Sequence, residues 1–168
     1  MIGFFETVKK AALISECGKY RYRLSRIWDD SKYPIYWIML NPSVADASVD
    51  DPTINRCCEF ARTWKFGGIH VMNLFAYRAT NPKELMRAED PVGPENDECL
   101  KHLTKEQEET QFIVVAWGNK GSLFSRDVDV IEMFKGMVIH CLGMTKSGFP
   151  KHPLYVPGNT QLSPFWSS

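Results

Sequence analysis

The stretch Ile35-Tyr36-Trp37-Ile38-Met39-Leu40-Asn41-Pro42-Ser43 decides the fold. Its first six residues are all apolar, too few to span a bilayer, and the run is bracketed by Pro34 and Pro42. Such a run between breakers predicts a strand buried on both faces of a parallel sheet. Pro42 has no N–H to offer a neighbouring strand, so the ladder ends there and leaves Asn41 at the carboxyl end of a central strand. In open α/β sheets that edge is where ligands bind. Taken alone, Asn-Pro-Ser reads equally well as a plain turn. The functional reading gains because three later strands also end in unusual polar sequences.

Before this stretch, Lys19 to Trp28 alternates, with Tyr20, Tyr22 and Leu24 on one side and Arg21, Arg23 and Ser25 on the other. That pattern predicts a half-solvated antiparallel edge strand beside the core strand. After it comes a polar loop to Asp51, which caps a helix opened by Pro52. Ile54, Cys57, Cys58, Ala61 and Trp64 recur at helical spacing, and Gly67-Gly68 is expected to stop the helix and turn the chain into a second core strand, Ile69 to Phe75. A short helix around Lys83 to Arg87 and a long charged one from about Glu95 to Thr110, anchored by Leu100 and Leu103, lead to a third core strand, Phe112 to Trp117. Ser122 is expected to cap a helix through Phe134 with Val128, Ile131 and Phe134 inward. Met137 to Leu142 makes the fourth core strand, and the proline-rich remainder is expected to stay irregular and to lie against the rest. The sum is one α/β domain over residues 1–168: three layers, a mainly parallel four-stranded sheet, and one added antiparallel edge strand.

The bulk numbers narrow the function classes. At 44% hydrophobic and 24% charged the chain has a globular composition, and 168 residues suffice for a sheet covered on both faces. Its formal net charge of zero argues against broad tracking of DNA phosphates and allows only a local basic lip, for which Lys120, Lys146 and Lys151 are the candidates. Lys9 and Lys10 precede only a short apolar patch, so neither a signal peptide nor a membrane span is expected, and the reading is cytoplasmic. Five cysteines without a C-x-x-C pair predict free thiols. Cys99 and His102 have ligand-like spacing but no second pair to complete a site, so no metal and no cofactor are expected.

Right-handed crossovers would bring all four strand ends to one rim. That rim collects Asn41, Asn73, Trp117-Gly118-Asn119 and the segment after Leu142. It offers amides, a glycine and a histidine, with neither a phosphate loop nor an ordered Ser-His-Asp set. An Asn amide presents two donors and an acceptor in one plane, which suits the edge of a nucleobase.

In order, Met39-Leu40-Asn41-Pro42-Ser43, Val71-Met72-Asn73-Leu74 with Arg78 and Asn81-Pro82, Val114-Val115-Ala116-Trp117-Gly118 and His152-Pro153 resemble the motif series of the uracil-DNA glycosylase superfamily. From Tyr20 to Phe165 the chain also resembles a phage and bacterial family of unknown function, the domain-of-unknown-function 1643 (DUF1643) family. That resemblance rests on Asn-Pro-Ser, Asp-Pro-Thr, Asn-Leu-Phe-Ala-x-Arg-Ala-Thr and His-Pro-Leu segments. The glycosylase resemblance implies a uracil-DNA-glycosylase-like fold and hydrolysis of the N-glycosidic bond of a damaged or modified base. Under it Asn41 positions the attacking water, Asp46 assists, and His152 steadies the departing base. Asn73 reads the base, and Pro42, Ser43, Phe75, Arg78, Trp117 and Gly118 complete the substrate-binding set. Trp37 or Phe75 would offer a stacking face, although aromatics beside a core strand are ordinarily core. Asp51 is a helix cap first and a candidate base second. The implied partner is nucleic acid or a nucleotide.

Two departures keep a rival reading open. Ser43 stands where the superfamily's first motif has an acid or a second glycine, and the tail reads His152-Pro153-Leu154-Tyr155 without the expected serine, unless Ser163-Pro164 takes its part. The rival is a noncatalytic binder of a modified nucleobase, a nucleotide or single-stranded nucleic acid. A hydrolase or transferase acting on another small molecule is the third possibility.

Overall fold

The computed structural model describes residues 7–43, 48–105 and 112–165. In chain order the strands are β1 (Lys9–Ile14), β2 (Arg21–Ile27), β3 (Pro34–Met39), β4 (Gly68–Asn73), β5 (Phe112–Val115), β6 (Ile139–Cys141) and β7 (Ser163–Pro164). The helices are α1 (Pro52–Thr63), α2 (Asn96–Lys105) and α3 (Arg126–Met133). All the strands join one sheet in the order β1-β2-β4-β3-β5-β6-β7. The four expected core strands form its parallel centre, with β3 between β4 and β5 and β6 beyond β5. The sheet is mixed, because β1, β2 and β7 pair antiparallel at its two ends.

Three expectations about the sheet need correction. The strand β2 is antiparallel as read, but its neighbour in the centre is β4, with Leu24 opposite Val71, and β1 covers its other side. It is therefore no edge. The true edge, β1, is largely solvent-exposed and carries only the short apolar patch that follows Lys9 and Lys10. The tail does return to the sheet, since Ser163-Pro164 pairs with His140-Cys141. Two residues, one of them proline, carry no strand signal and fit only at an edge.

One core cluster packs α1 on the sheet through Ile54, Cys57, Phe60 and Ala61 against Trp37, Val71 and Val114. Trp37, Phe60 and Trp64 stack there with ring centroids 5.0–6.2 Å apart, and each full burial of such a side chain contributes roughly 1.5–3 kcal/mol. The second cluster, on the opposite face, packs Leu100 and Leu103 of α2, Val130 of α3 and its C-cap residue Phe134 against Ile38, Met72, Ile113 and Val115. Helices on both faces give the three layers. No helix among the described residues is long and apolar enough to cross a membrane.

Helix α1 starts as expected: Asp51 accepts from the Ile54 N–H at 2.9 Å, with Pro52 in the first turn. Its end differs from the reading. The left-handed residue there is Lys65, φ 69°, and neither Gly67 nor Gly68 has positive φ. Those glycines serve close approach instead, since a Cβ on Gly67 would lie 2.1 Å from the Asp29 carbonyl and one on Gly68 2.6 Å from that of Arg26. The helix expected from Ser122 begins only at Arg126, because Phe124 and Ser125 both take left-handed φ. Phe134 is inward as expected and Ile131 is partly buried against the same cluster, but Val128 is 64% exposed and Val130 takes the buried position.

Candidate functional site

A cavity of about 690 Å³ opens at the carboxyl ends of the parallel strands, within the roughly 300–1,000 Å³ range of small-molecule sites. Its floor is Met39 and Val71 from the α1 side of the sheet, with Ile54 of the first turn of α1. Polar lining comes from each strand end: Asn41 and Ser43 after β3, Asn73 on β4, Gly118 and Asn119 after β5, and Lys151 and His152 from the tail after β6. Asn41 and His152, 111 positions apart in the chain, line one cavity.

The tail reaches the cavity through specific bonds. Gly118 N–H donates to the Pro150 carbonyl at 2.9 Å and Lys151 N–H to that of Gly143 at 3.0 Å. From α1, the Arg56 Nη2 donates to the Val156 carbonyl at 2.8 Å, with a longer 3.4 Å contact from Nε to the Pro153 carbonyl. Arg56 is therefore the clamp that holds the tail on the helix. Gly118 takes φ 72°, where a side chain is strained, so a glycine is required by the backbone at this turn.

Asn41 is less available than its position suggests. Its Nδ2 donates to the carbonyls of Ala79 at 2.8 Å and of Pro42 at 3.1 Å, so its two donors tie the corner after β3 to the loop after β4. Asn73 is different: only 2% exposed, it lines the cavity, and its buried Nδ2 has no partner among the described residues. The backbone beneath it is fixed by buried groups that sequence reasoning did not single out. Asn96 Nδ2 donates to the carbonyls of Asn73 and Leu74, and Arg126 Nε donates to that of Leu74 while pairing with Asp97.

His152 accepts from the Leu154 N–H at its Nδ1, at 3.2 Å, which assigns the proton of the neutral ring to Nε2. Burial holds its pKa below the ordinary histidine value, against a smaller opposite pull from Asp51. Near neutral pH it is thus a donor without charge. Asp51 lines the same cavity, accepting from Ile54 N–H at Oδ1 and from Ser43 Oγ at 2.6 Å at Oδ2.

Trp117 also lines the cavity, and the lack of a side chain at Gly121 makes room for its indole, which would lie 2.0 Å from a Cβ there. Other expected residues fall elsewhere. Phe75 is fully buried and packs edge-on against Phe124, and Arg78 donates to the Gly18 carbonyl at 3.1 Å. Both lie outside the lining, although Thr80 and Pro82 of the same segment belong to it. Pro42 contributes its carbonyl to the Asn41 clamp rather than a surface to the cavity. Trp37 is fully buried under α1 and offers no stacking face. Asp46 lies outside the described residues.

The lining also contains residues that the sequence did not mark for it, notably Arg21, Thr53 and Tyr155. Tyr155 is 83% exposed at the mouth, its ring 5.5 Å from that of His152. An exposed aromatic next to His-Pro was the available signal for it. Arg21 had none, as its sequence alternation places it with the exposed Arg23.

No curated protein and no solved structure matches the chain. The family model described as a protein of unknown function, DUF1643, matches residues 21–154, from the arginine at the cavity wall to the tail loop that closes it, and the chain belongs to that family.

Proposed function

We propose that the cavity receives a nucleobase and that the protein is an N-glycosidic hydrolase of the DNA-glycosylase kind. The observation that carries this reading is the buried, unpartnered Nδ2 of Asn73 on the cavity wall. A buried donor left unmade costs about 1–3 kcal/mol, a cost that a base carbonyl would remove. Tyr155 supplies the aromatic face for the base in place of Trp37 or Phe75.

Cleavage breaks the bond between the sugar C1′ and the base nitrogen, and the electron pair goes to the base. Its developing negative charge falls on carbonyl oxygens that accept from Asn73 Nδ2 and from His152 Nε2–H. The Asp51 carboxylate faces the positive charge on the sugar and takes the proton of the water that adds to C1′. Asn41, its donors engaged by backbone, positions the corner that carries Ser43 and does not hold the water through its NH2. A base in a duplex would first have to leave the stack, at a cost of a few kcal/mol.

The same hydrogen bonds favour a second reading, a noncatalytic binder. The Asn41 amide is spent on carbonyls, and each Asp51 oxygen already accepts from Ser43 or Ile54. The two readings separate in one experiment. Oligonucleotides carrying uracil, hydroxymethylated or deaminated bases are incubated with the wild type, His152→Ala and Asn73→Ala, scoring abasic sites and, in parallel, calorimetric binding. Product that His152→Ala reduces at least tenfold supports hydrolysis, and binding without product supports the binder. Absence of both removes the nucleobase.

A further inference from the structure

We infer that the cavity has a phosphate subsite centred on Arg21, so that its occupant is a nucleoside monophosphate rather than a free base or nucleoside. The inference rests on the nucleobase reading and adds the other half of the molecule. It begins with an irregularity in β2. Leu13 lies opposite Arg23 but Ile14 lies opposite Arg21, so Tyr22 is an extra residue and the strand is bulged there. Without the bulge, Arg21 would share a side with the exposed Arg23. With it, Arg21 lines the cavity beside Val71 and Ile54, while Tyr22 turns toward Glu95 on the other face. Bulges re-aim side chains in this way next to functional sites.

Arg21 is 2% exposed, and burial lowers its pKa to about 10, with Asp51 pulling it up and Arg78 and Arg26 pushing it down. It therefore remains a cation at neutral pH, and it presents its donors in a planar fork. Apart from the Asn73 and His152 donors that face the base, the lining adds the amines of Lys120 and Lys151. The first turn of α1 adds the positive end of its dipole through Thr53 and Ile54. Among the described lining residues Asp51 is the one carboxylate against Arg21, Lys120 and Lys151, an excess of two positive charges. A phosphomonoester carries about −1.5 to −2 near pH 7 and three acceptor oxygens, which matches both the charge and the donors.

Calorimetry at about 0.1 M salt compares nucleoside 5′-monophosphates with the matching nucleosides, with ribose 5-phosphate and inorganic phosphate as further probes. The monophosphates are expected to bind about tenfold tighter than the nucleosides or better, the worth of one charge-assisted hydrogen bond. Lys151→Gln, at a half-buried tail position, is expected to shrink that ratio and leave nucleoside binding alone. Arg21→Gln abolishes the ratio and Arg21→Lys restores part of it. If Arg21→Gln does not fold, Lys151→Gln still decides. Nucleosides that bind as tightly as monophosphates overturn the subsite and leave the nucleobase reading standing. Ribose 5-phosphate that binds as tightly as monophosphates supports the subsite and overturns the nucleobase reading. No binding by any probe overturns the subsite.

Discussion

Asn73 and His70 occupy the same strand and meet opposite fates. Asn73 keeps a buried amide N–H without a partner among the described residues, and a residue kept for binding is expected to cost stability. Asn73→Leu, of similar volume, should be neutral or stabilising by up to about 1 kcal/mol in urea denaturation while nucleotide binding is lost. Destabilisation beyond about 1 kcal/mol would make Asn73 a structural residue. His70 is bonded, its Nδ1 2.7 Å from Ser25 Oγ, and burial, aided by Arg23, pushes its pKa down to about 4 from 6.5. The unfolded chain protonates this ring below pH 6.5 and the folded chain only near 4. Its contribution is therefore complete above pH 6.5 and is lost as the pH falls toward 4, by at most about 3 kcal/mol. Urea titrations at pH 7 and pH 4.5 should show a smaller pH loss in His70→Gln than in the wild type. Gly67→Ala should cost about 1–3 kcal/mol by the same measurement, because its Cβ meets the Asp29 and Lys32 carbonyls rather than a side chain that can move.

At the scale of elements, the cavity depends on a tail with almost no regular structure, held to α1 by Arg56. Arg56→Met should release the 150–156 segment to limited proteolysis and weaken nucleotide binding at least tenfold. The near-ultraviolet signal of the stack of buried Trp37 on half-buried Trp64 should stay unchanged, since the cation lies over Phe60, 4.9 Å from its centroid, and not over either indole. Unaltered proteolysis would mean that the bonds from Gly118 and Lys151 hold the tail without it. The elements also show where sequence suffices. The parallel centre was legible because its strands are short, mostly apolar runs that end in polar residues or breakers, and right-handed crossovers between them bring Asn41, Asn73, Gly118 and the loop after β6 to one edge. The placement of Arg21 was not legible, because the bulge exists only in the pairing of β2 with β1, a non-local fact. Nor were β1 and β7, whose edge positions need no apolar pattern, nor the delayed start of α3, set by two left-handed residues that are not glycine.

On the whole-molecule scale, charge constrains what the cavity can take. Twenty basic and twenty acidic residues cancel, so any attraction for a nucleic acid must come from a local cluster of cations, and under the proposed reading that cluster is Arg21, Lys120 and Lys151 of the cavity. Each phosphate neutralised contributes about −0.7 to the slope of log affinity against log salt for a single strand and about −0.9 for a duplex. Three cations thus predict a slope of about −2 for a single-stranded oligonucleotide and no steeper than about −3 for a duplex. Fluorescence anisotropy from about 50 to 200 mM salt would measure it. A slope steeper than about −4 requires more phosphate contacts than this mouth provides. That result would place the nucleic-acid surface on another face and leave the cavity to a small nucleotide.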